Sequence, residues 1–213
     1  MSTNLKVSAA LVAAFAAVVT ALLVLGRSES GSSADGGVQV VREDSHRVGE
    51  PGTGGVTLVE FLDFECEACA AAYPFVEQLR EDYAGRVTFV ARYMPMPGHP
   101  NAENAAVAVE AAARQGEFEA MYRRMYETQE QWSHRQESQA AVFRGFAQDL
   151  GLDLADYDEA VADPATLERV LADRDDGLAL GVEGTPTFFL NGEKLEVSTT
   201  DAFVEQVEAA LDE

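Results

Sequence analysis

One run, VTLVEFL over residues 56–62, constrains the fold of this chain more than any other stretch. It is nearly all apolar and rich in β-formers, so it reads as a central strand buried on both faces, and such a strand needs cover on each side of its sheet. Cys66-Glu67-Ala68-Cys69 follows at once. The pattern then turns helical, with Ala70, Tyr73, Val76 and Leu79 spaced along one face. Pro74 lies inside that helix and is expected to kink it, Gly85 ends it, and Val87–Tyr93 reads as a second strand. A helical block follows. Ala102–Gln115 is Ala-rich, and Phe118, Met121, Tyr122, Met125 and Tyr126 make an amphipathic stripe. Phe143, Phe146, Ala147 and Leu150 repeat that spacing before a stop at Gly151. Asp163-Pro164 starts a further helix, ending near Gly181, with Asp as cap and Pro at the first position. Asn191-Gly192, between strand-like runs Thr187–Leu190 and Glu193–Val197, is a strong hairpin signal, and residues 201–211 read as a last amphipathic helix. Val38–Val41 is expected as a short edge strand. The order β, α, β, helices, β, β, α carries no internal repeat.

Cys66 and Cys69 are the only cysteines. A disulfide-stapled scaffold needs more pairs, and a bond across two intervening residues constrains little chain entropy. The pair therefore reads as chemical. At a strand-to-helix junction the first cysteine meets the free N–H groups and dipole of the helix, which favour a thiolate, and the second lies within reach to resolve a mixed disulfide. Half of a zinc site and two unreactive buried thiols are the rivals. A closed zinc site wants four ligands, and the only further soft donors are His46, His99 and His134.

Residues 7–26 contain no charge over about the span of a bilayer core, with Lys6 before and Arg27 after. They read as a transmembrane anchor. A cleaved signal is the rival, but Val24-Leu25-Gly26 is a poor cleavage site. The expected organisation is a cytoplasmic tip at 1–6, the anchor at 7–26, a flexible linker at 27–44 that includes the Ser/Gly-rich stretch 28–37, and a domain at 45–213. The positive-inside rule slightly favours the domain outside the cell membrane, the side that suits disulfide chemistry. With 15 basic and 37 acidic side chains the net charge is −22. That acidity argues against nucleic acid as a partner and reads as solubility or salt adaptation, with selective binding of a basic partner as the alternative.

A second motif, Gly184-Thr185-Pro186-Thr187, stands just before a strand near the carboxyl end. In this order of elements the chain resembles the thioredoxin superfamily. Glu60-Phe61-Leu62-Asp63-Phe64-Glu65-Cys66, Pro97-Gly98-His99-Pro100-Asn101-Ala102, Arg114-Gln115-Gly116-Glu117-Phe118 and the helical block together resemble its DsbA-like branch, over roughly residues 45–212. The resemblance implies an α/β thioredoxin-like fold with a helical insertion at about 101–181. It implies that Pro186 is cis and that Thr185 lends its backbone to an extended substrate. It also makes Glu60 a buried acid that relays a proton for Cys69, against the alternatives of an ion pair or a misjudged register. The branch usually carries Pro and then often a ring between its cysteines. Here Glu67 and Ala68 occupy those places and should tune the redox potential, which leaves the direction of electron flow open. His99 is expected to pack a loop, and Trp132 to pack in the core or on the surface rather than line a peptide groove.

The expected activity is thiol–disulfide exchange on cysteine-containing exported polypeptides, with Cys66 as nucleophile and Cys69 as resolving thiol. No dissociable cofactor and no metal are implied, and a membrane redox partner must recycle the pair. A dedicated extracytoplasmic reductase, for instance of apocytochrome thiols, and a tethered polypeptide-binding module without enzymatic activity are the alternatives.

Overall fold

The computed structural model of the protein describes residues 38–212. The expected tip and anchor at 1–26 lie outside the described residues. Among the described residues no helix is long and apolar enough to cross a membrane. The strands are β1 (His46–Arg47), β2 (Val56–Leu62), β3 (Val87–Tyr93), β4 (Thr187–Leu190) and β5 (Glu193–Lys194). The helices are α1 (Glu67–Asp82), α2 (Ala102–Ala113), α3 (Phe118–Glu127), α4 (Gln129–Trp132), α5 (Ala140–Asp149), α6 (Leu154–Ala162), α7 (Pro164–Ala179) and α8 (Thr200–Leu211). The sheet order is β1-β3-β2-β4-β5, with β2 parallel to β3 and the other pairs antiparallel. Helices α2 to α7 are the expected insertion between β3 and β4.

The central position of β2 follows from its sequence. Leu58, Val59, Phe61 and Leu62 are all buried, and each contributes about 1.5–3 kcal/mol by leaving water. Alternation sorts them by face. Leu58 and Leu62 join the larger core with α1, α3 and α8 side chains, whereas Val59 and Phe61 join Val90, Met94, Val182 and Phe189 on the other face. Helix α7 covers that second face closely. A Cβ at Gly177 would stand 3.0 Å from Phe61 Cδ1 and from Met94 Sδ, so the helix approaches through a glycine. Helix α1 runs unbroken from Glu67 to Asp82 with Pro74 inside it. The hairpin turn has φ +50° at Asn191 and +90° at Gly192, the two left-handed residues that a two-residue turn of this kind requires.

Two expectations for strands are corrected. Residues 38–41 form no strand, because the Arg92 guanidinium takes the carbonyl oxygens of Gln39 and Val40 at 3.2 and 2.8 Å and so removes them from any ladder. The edge strand is instead β1. The final hairpin strand stops at Lys194 rather than Val197, and only the Leu195 N–H continues the pairing, to Phe188 O. The expected linker over 27–44 also ends early. From residue 39 the chain is held by Arg92, and Asp44 is paired to Arg42 and Arg169.

Candidate active site

Cys66 is the N-cap residue of α1, with extended backbone (φ −72°, ψ 123°) and no oxygen cap on the helix. Helices α6, α7 and α8 start differently, each with an Asp or Thr oxygen accepting first-turn N–H bonds, from Asp153, Asp163 and Thr199. At α1 a sulfur occupies the place where those helices put oxygen, so the first-turn donors are left for Cys66 Sγ. The Cys66 thiol is lowered from an ordinary 9.0 to about 5. The hydrogen bond from Cys69 contributes most. Burial opposes it, and the contact with Thr185 and the N–H groups of Cys69 and Ala68 add to the lowering. Cys69 is fully buried, and burial first, then its bond to Cys66 and the Glu60 charge, push its thiol far up. The pair is thus split into one thiolate and one held proton.

The expected neighbours assemble around it. Thr185-Pro186 is a cis peptide, and Cys66 Sγ lies 3.3 Å from Thr185 O. Glu60 lies mid-strand on the face of β2 that carries the larger core, between Ala91 and Phe188 on the neighbouring strands. It is 7 % exposed. Burial first, then the charges of Glu77 and Cys66, raise its carboxyl from 4.5 to about 8. Glu67 is exposed and its Oε1 lies 3.0 Å from His134 Nε2, while Ala68 contributes only its backbone. Trp132 is fully buried, in edge-on contact with Phe143.

Several side chains that the sequence did not single out hold the reactive loop. Asp63 Oδ1 accepts from Glu65 N at 2.8 Å, and its Oδ2 from Met96 N at 2.9 Å and His99 Nδ1 at 2.6 Å. His99, expected as loop packing, is thereby the loop's polar anchor. Burial works against its charge, but the Asp63 hydrogen bond and carboxylate raise its pKa. Glu65 is fully buried, and its two oxygens take the N–H groups of Asn101 and His134 at 2.6 and 2.7 Å. Gln129 Nε2 donates to Phe64 O and Cys66 O at 2.8 and 2.9 Å. Residues between Met96 and His134 therefore hold the cysteine loop through several hydrogen bonds. The readable signal was acids at 63 and 65 bracketing the turn; Gln129 carries none.

Two clefts flank the pair. An open polar cleft of about 850 Å³ is lined by Glu67, Ala70, Tyr126, Gln129 and His134 among others. A second, of about 370 Å³, runs beside Pro186 along Phe75, Phe188, Leu195 and Phe203. Among the described residues no three His, Cys, Asp or Glu side chains come together as a metal-binding group. What the arrangement can do is exchange: a stabilised sulfur nucleophile, a protonated second thiol beside it, and a buried acid within electrostatic reach of both.

A family model described as thioredoxin matches residues 42–212. Among solved structures, oxidised BdbD from Bacillus subtilis superposes with a TM-score of 0.71 at 19% identity, covering 83% of this chain and 98% of that one. A thioredoxin-like oxidoreductase from Silicibacter pomeroyi gives 0.67 at 23% identity over 84% and 96%. Wolbachia pipientis α-DsbA1 gives 0.69 at 15% over 81% and 93%. At these identities the likeness concerns the fold. Curated relatives include the Na⁺/H⁺ antiporter NhaA 3 of Salinispora tropica, 39% identical over 155 residues, which are 72% of this chain and 23% of that protein. The Na⁺/H⁺ antiporter NhaA of Herminiimonas arsenicoxydans is 37% identical over 143 residues, 67% of this chain and 22% of that protein. The chain spans about a quarter of the length of these relatives.

Proposed function

From the chain's membership of the thioredoxin family, with a DsbA-like fold, we propose that it is a thiol–disulfide oxidoreductase acting on exported polypeptides, with Cys66 as nucleophile and Cys69 as resolving thiol. The observation that carries this reading is the split pair: a Cys66 thiol lowered to about 5 at a helix start, beside a Cys69 thiol pushed far up. Thr185 and Pro186 present the backbone edge against which an extended client lies. The cleft along Phe75, Phe188 and Phe203 accepts its apolar side chains. Glu60 takes and returns the Cys69 proton, and Glu67 and Ala68 set the potential.

A stabilised thiolate stabilises the reduced form, and that makes the disulfide form a strong oxidant. The low Cys66 value therefore favours net oxidation of clients. The antiporter relatives support a working place at a membrane, consistent with an anchor at 7–26 and a domain facing outward. An unidentified membrane electron carrier would recycle the pair.

The test is exchange itself, on the full chain and on Cys66→Ser. Oxidation of a dithiol peptide and reduction of insulin are followed for both, with alkylation of Cys66 measured across pH. Expected are activity lost in Cys66→Ser, an alkylation midpoint near 5, and a reduction potential nearer about −120 mV than about −270 mV. A potential at the low end assigns the reductase alternative. Equal activity of both proteins, or none in either while unfolded chains still bind, replaces the enzyme with a tethered binding module.

A further inference from the structure

We propose that the Tyr126 hydroxyl is the hydrogen-bond donor that receives the Cys69 sulfur when it carries negative charge during exchange. The inference rests on the exchange reading of the same site and assigns it a further residue. Tyr126 lies near the end of α3 with its ring fixed on three sides. It stacks on Tyr73 at 5.0 Å between centroids and meets Phe64 and Tyr122 at 5.2 Å each. Tyr73 stands one turn after Cys69 on α1, and a helical side chain leans over the turn that precedes it. A ring stacked on Tyr73 therefore stands over the stripe that Cys69 occupies. Cys69, Phe64 and Tyr126 belong to one packed cluster.

The hydroxyl at the end of this ring is buried and has no hydrogen-bond partner among the described residues. An unpaired buried donor is costly, and its presence calls for an explanation. The ionisable groups around it are Glu60 on β2, Asp63 before the cysteine loop, Cys69 and Tyr73 on α1, and Tyr122 on α3. Burial, then the charges of Cys69 and Glu60, push the phenol well above its ordinary pKa. It thus stays neutral and donates; it does not act as an acid. At rest Cys69 is a thiol that turns its own proton toward Cys66, a weak acceptor with nothing to gain from the phenol. A thiolate is a strong one. The bond forms only as charge appears on Cys69, which is the condition for lowering a barrier rather than stabilising the resting state.

The step balances in either direction. When a client disulfide is reduced, the Cys66 thiolate attacks it and one client thiolate leaves. Cys69 then gives its proton to the Glu60 carboxylate and its sulfur attacks Cys66. The Cys66–Cys69 bond forms, the Cys66–client bond breaks, and the second client thiolate leaves, so two electrons pass from the pair to the client. When a client is oxidised the same steps reverse, with Cys69 leaving as thiolate and recovering the proton from Glu60. Tyr126 keeps its proton throughout.

Rapid mixing of the reduced full chain with a peptide disulfide separates attack by Cys66 from resolution by Cys69. In Tyr126→Phe the attack phase and its pH profile should match wild type, resolution should slow by roughly tenfold or more, and urea stability should hold or rise. Unchanged resolution overturns the proposal and leaves the phenol a packing group. Slowing of both phases with a loss of stability also overturns it, in favour of a structural role. A wild-type chain that shows no attack phase would instead overturn the exchange reading on which this inference rests.

Discussion

Two charged side chains stand one strand apart on opposite faces of the sheet, and they have opposite fates. Arg92 on β3 is fully buried and makes four hydrogen bonds. It bonds Asp173 Oδ1 and Asp176 Oδ2 at 2.6 Å each, and its Nη1 donates to the Gln39 and Val40 carbonyls. Asp173 in turn accepts the Tyr93 N–H at 3.1 Å and lies 2.8 Å from Arg169 Nη1. Glu60 on β2 is buried to nearly the same degree, but no cation or hydrogen-bond donor meets its carboxylate among the described residues, and its pKa rises to about 8. Burial alone therefore does not mark function. A buried charge with partners fastens the molecule together; one without partners is held near the pH at which it can exchange a proton. The Arg92 network joins β3, α7 and the segment entering the domain, while Glu60 sits beneath the cysteines.

Breaking the paired side should produce the largest effect. Arg92→Met removes the buried cation and leaves Asp173 with Arg169 alone and Asp176 with Arg42. A loss of about 3 kcal/mol in urea unfolding is expected, the lower end of the usual cost of breaking a buried ion pair, because Arg169 stays beside Asp173. Exchange per folded molecule should be unaltered, because no residue of this network reaches Cys66. A loss below about 1 kcal/mol would remove the contrast drawn here.

Glu60→Gln sharpens the other side, with the opposite sign. The folded carboxyl binds its proton more tightly than the unfolded one, 4.5 against about 8, so the folded state holds the extra proton between those values. The Glu60 contribution to stability then falls as pH rises from about 4.5 and levels off above about 8. Glutamine has no such dependence. The variant should match wild type near pH 4 and exceed it by a few kcal/mol at most near pH 8, while exchange slows and loses part of its pH dependence. Parallel stability curves for the two proteins from pH 4 to 8 would show Glu60 to be paired after all.

The contrast also explains what could be read in advance. The strand, the cysteine pair, the Thr185-Pro186 turn and the helical insertion rest on local patterns and on family likeness, and they stand as expected in the fold. Residues that act through distant partners were silent. Gln129 reaches the Cys66 carbonyl across 63 positions, and Arg92 reaches Asp173 across 81. Gln129 opens a short helix like any polar residue, and Tyr126 reads only as one apolar tooth of α3. Arg92 did carry a signal: an arginine inside VTFVARY must find an anion if that strand is central. Its grip on residues 39 and 40 is also why the expected edge strand at 38–41 gave way.

The smallest effect should come from an acid that belongs to neither class. Glu67 lies next to Cys66 in sequence, but its side chain is 74% exposed and its one partner is the exposed His134. Unlike Glu60, it keeps its water. A negative charge beside a thiolate disfavours it, so Glu67→Gln should lower the Cys66 thiol further, favour the reduced form and raise the reduction potential. Water and salt screen the charge. Glu67 accordingly does not figure among the principal causes of the Cys66 shift, which are the Cys69 bond, burial, Thr185 and the α1 N–H groups. A rise of no more than about 30 mV is expected, the equivalent of one pKa unit for a two-electron couple. Thiolate absorbance gives the first quantity and glutathione equilibration the second. Raising the salt concentration should shrink the difference between the proteins, since the interaction passes through solvent. A potential that falls, or a thiol that titrates higher in Glu67→Gln, would mean that the backbone at this position, where the branch usually has proline, outweighs the charge.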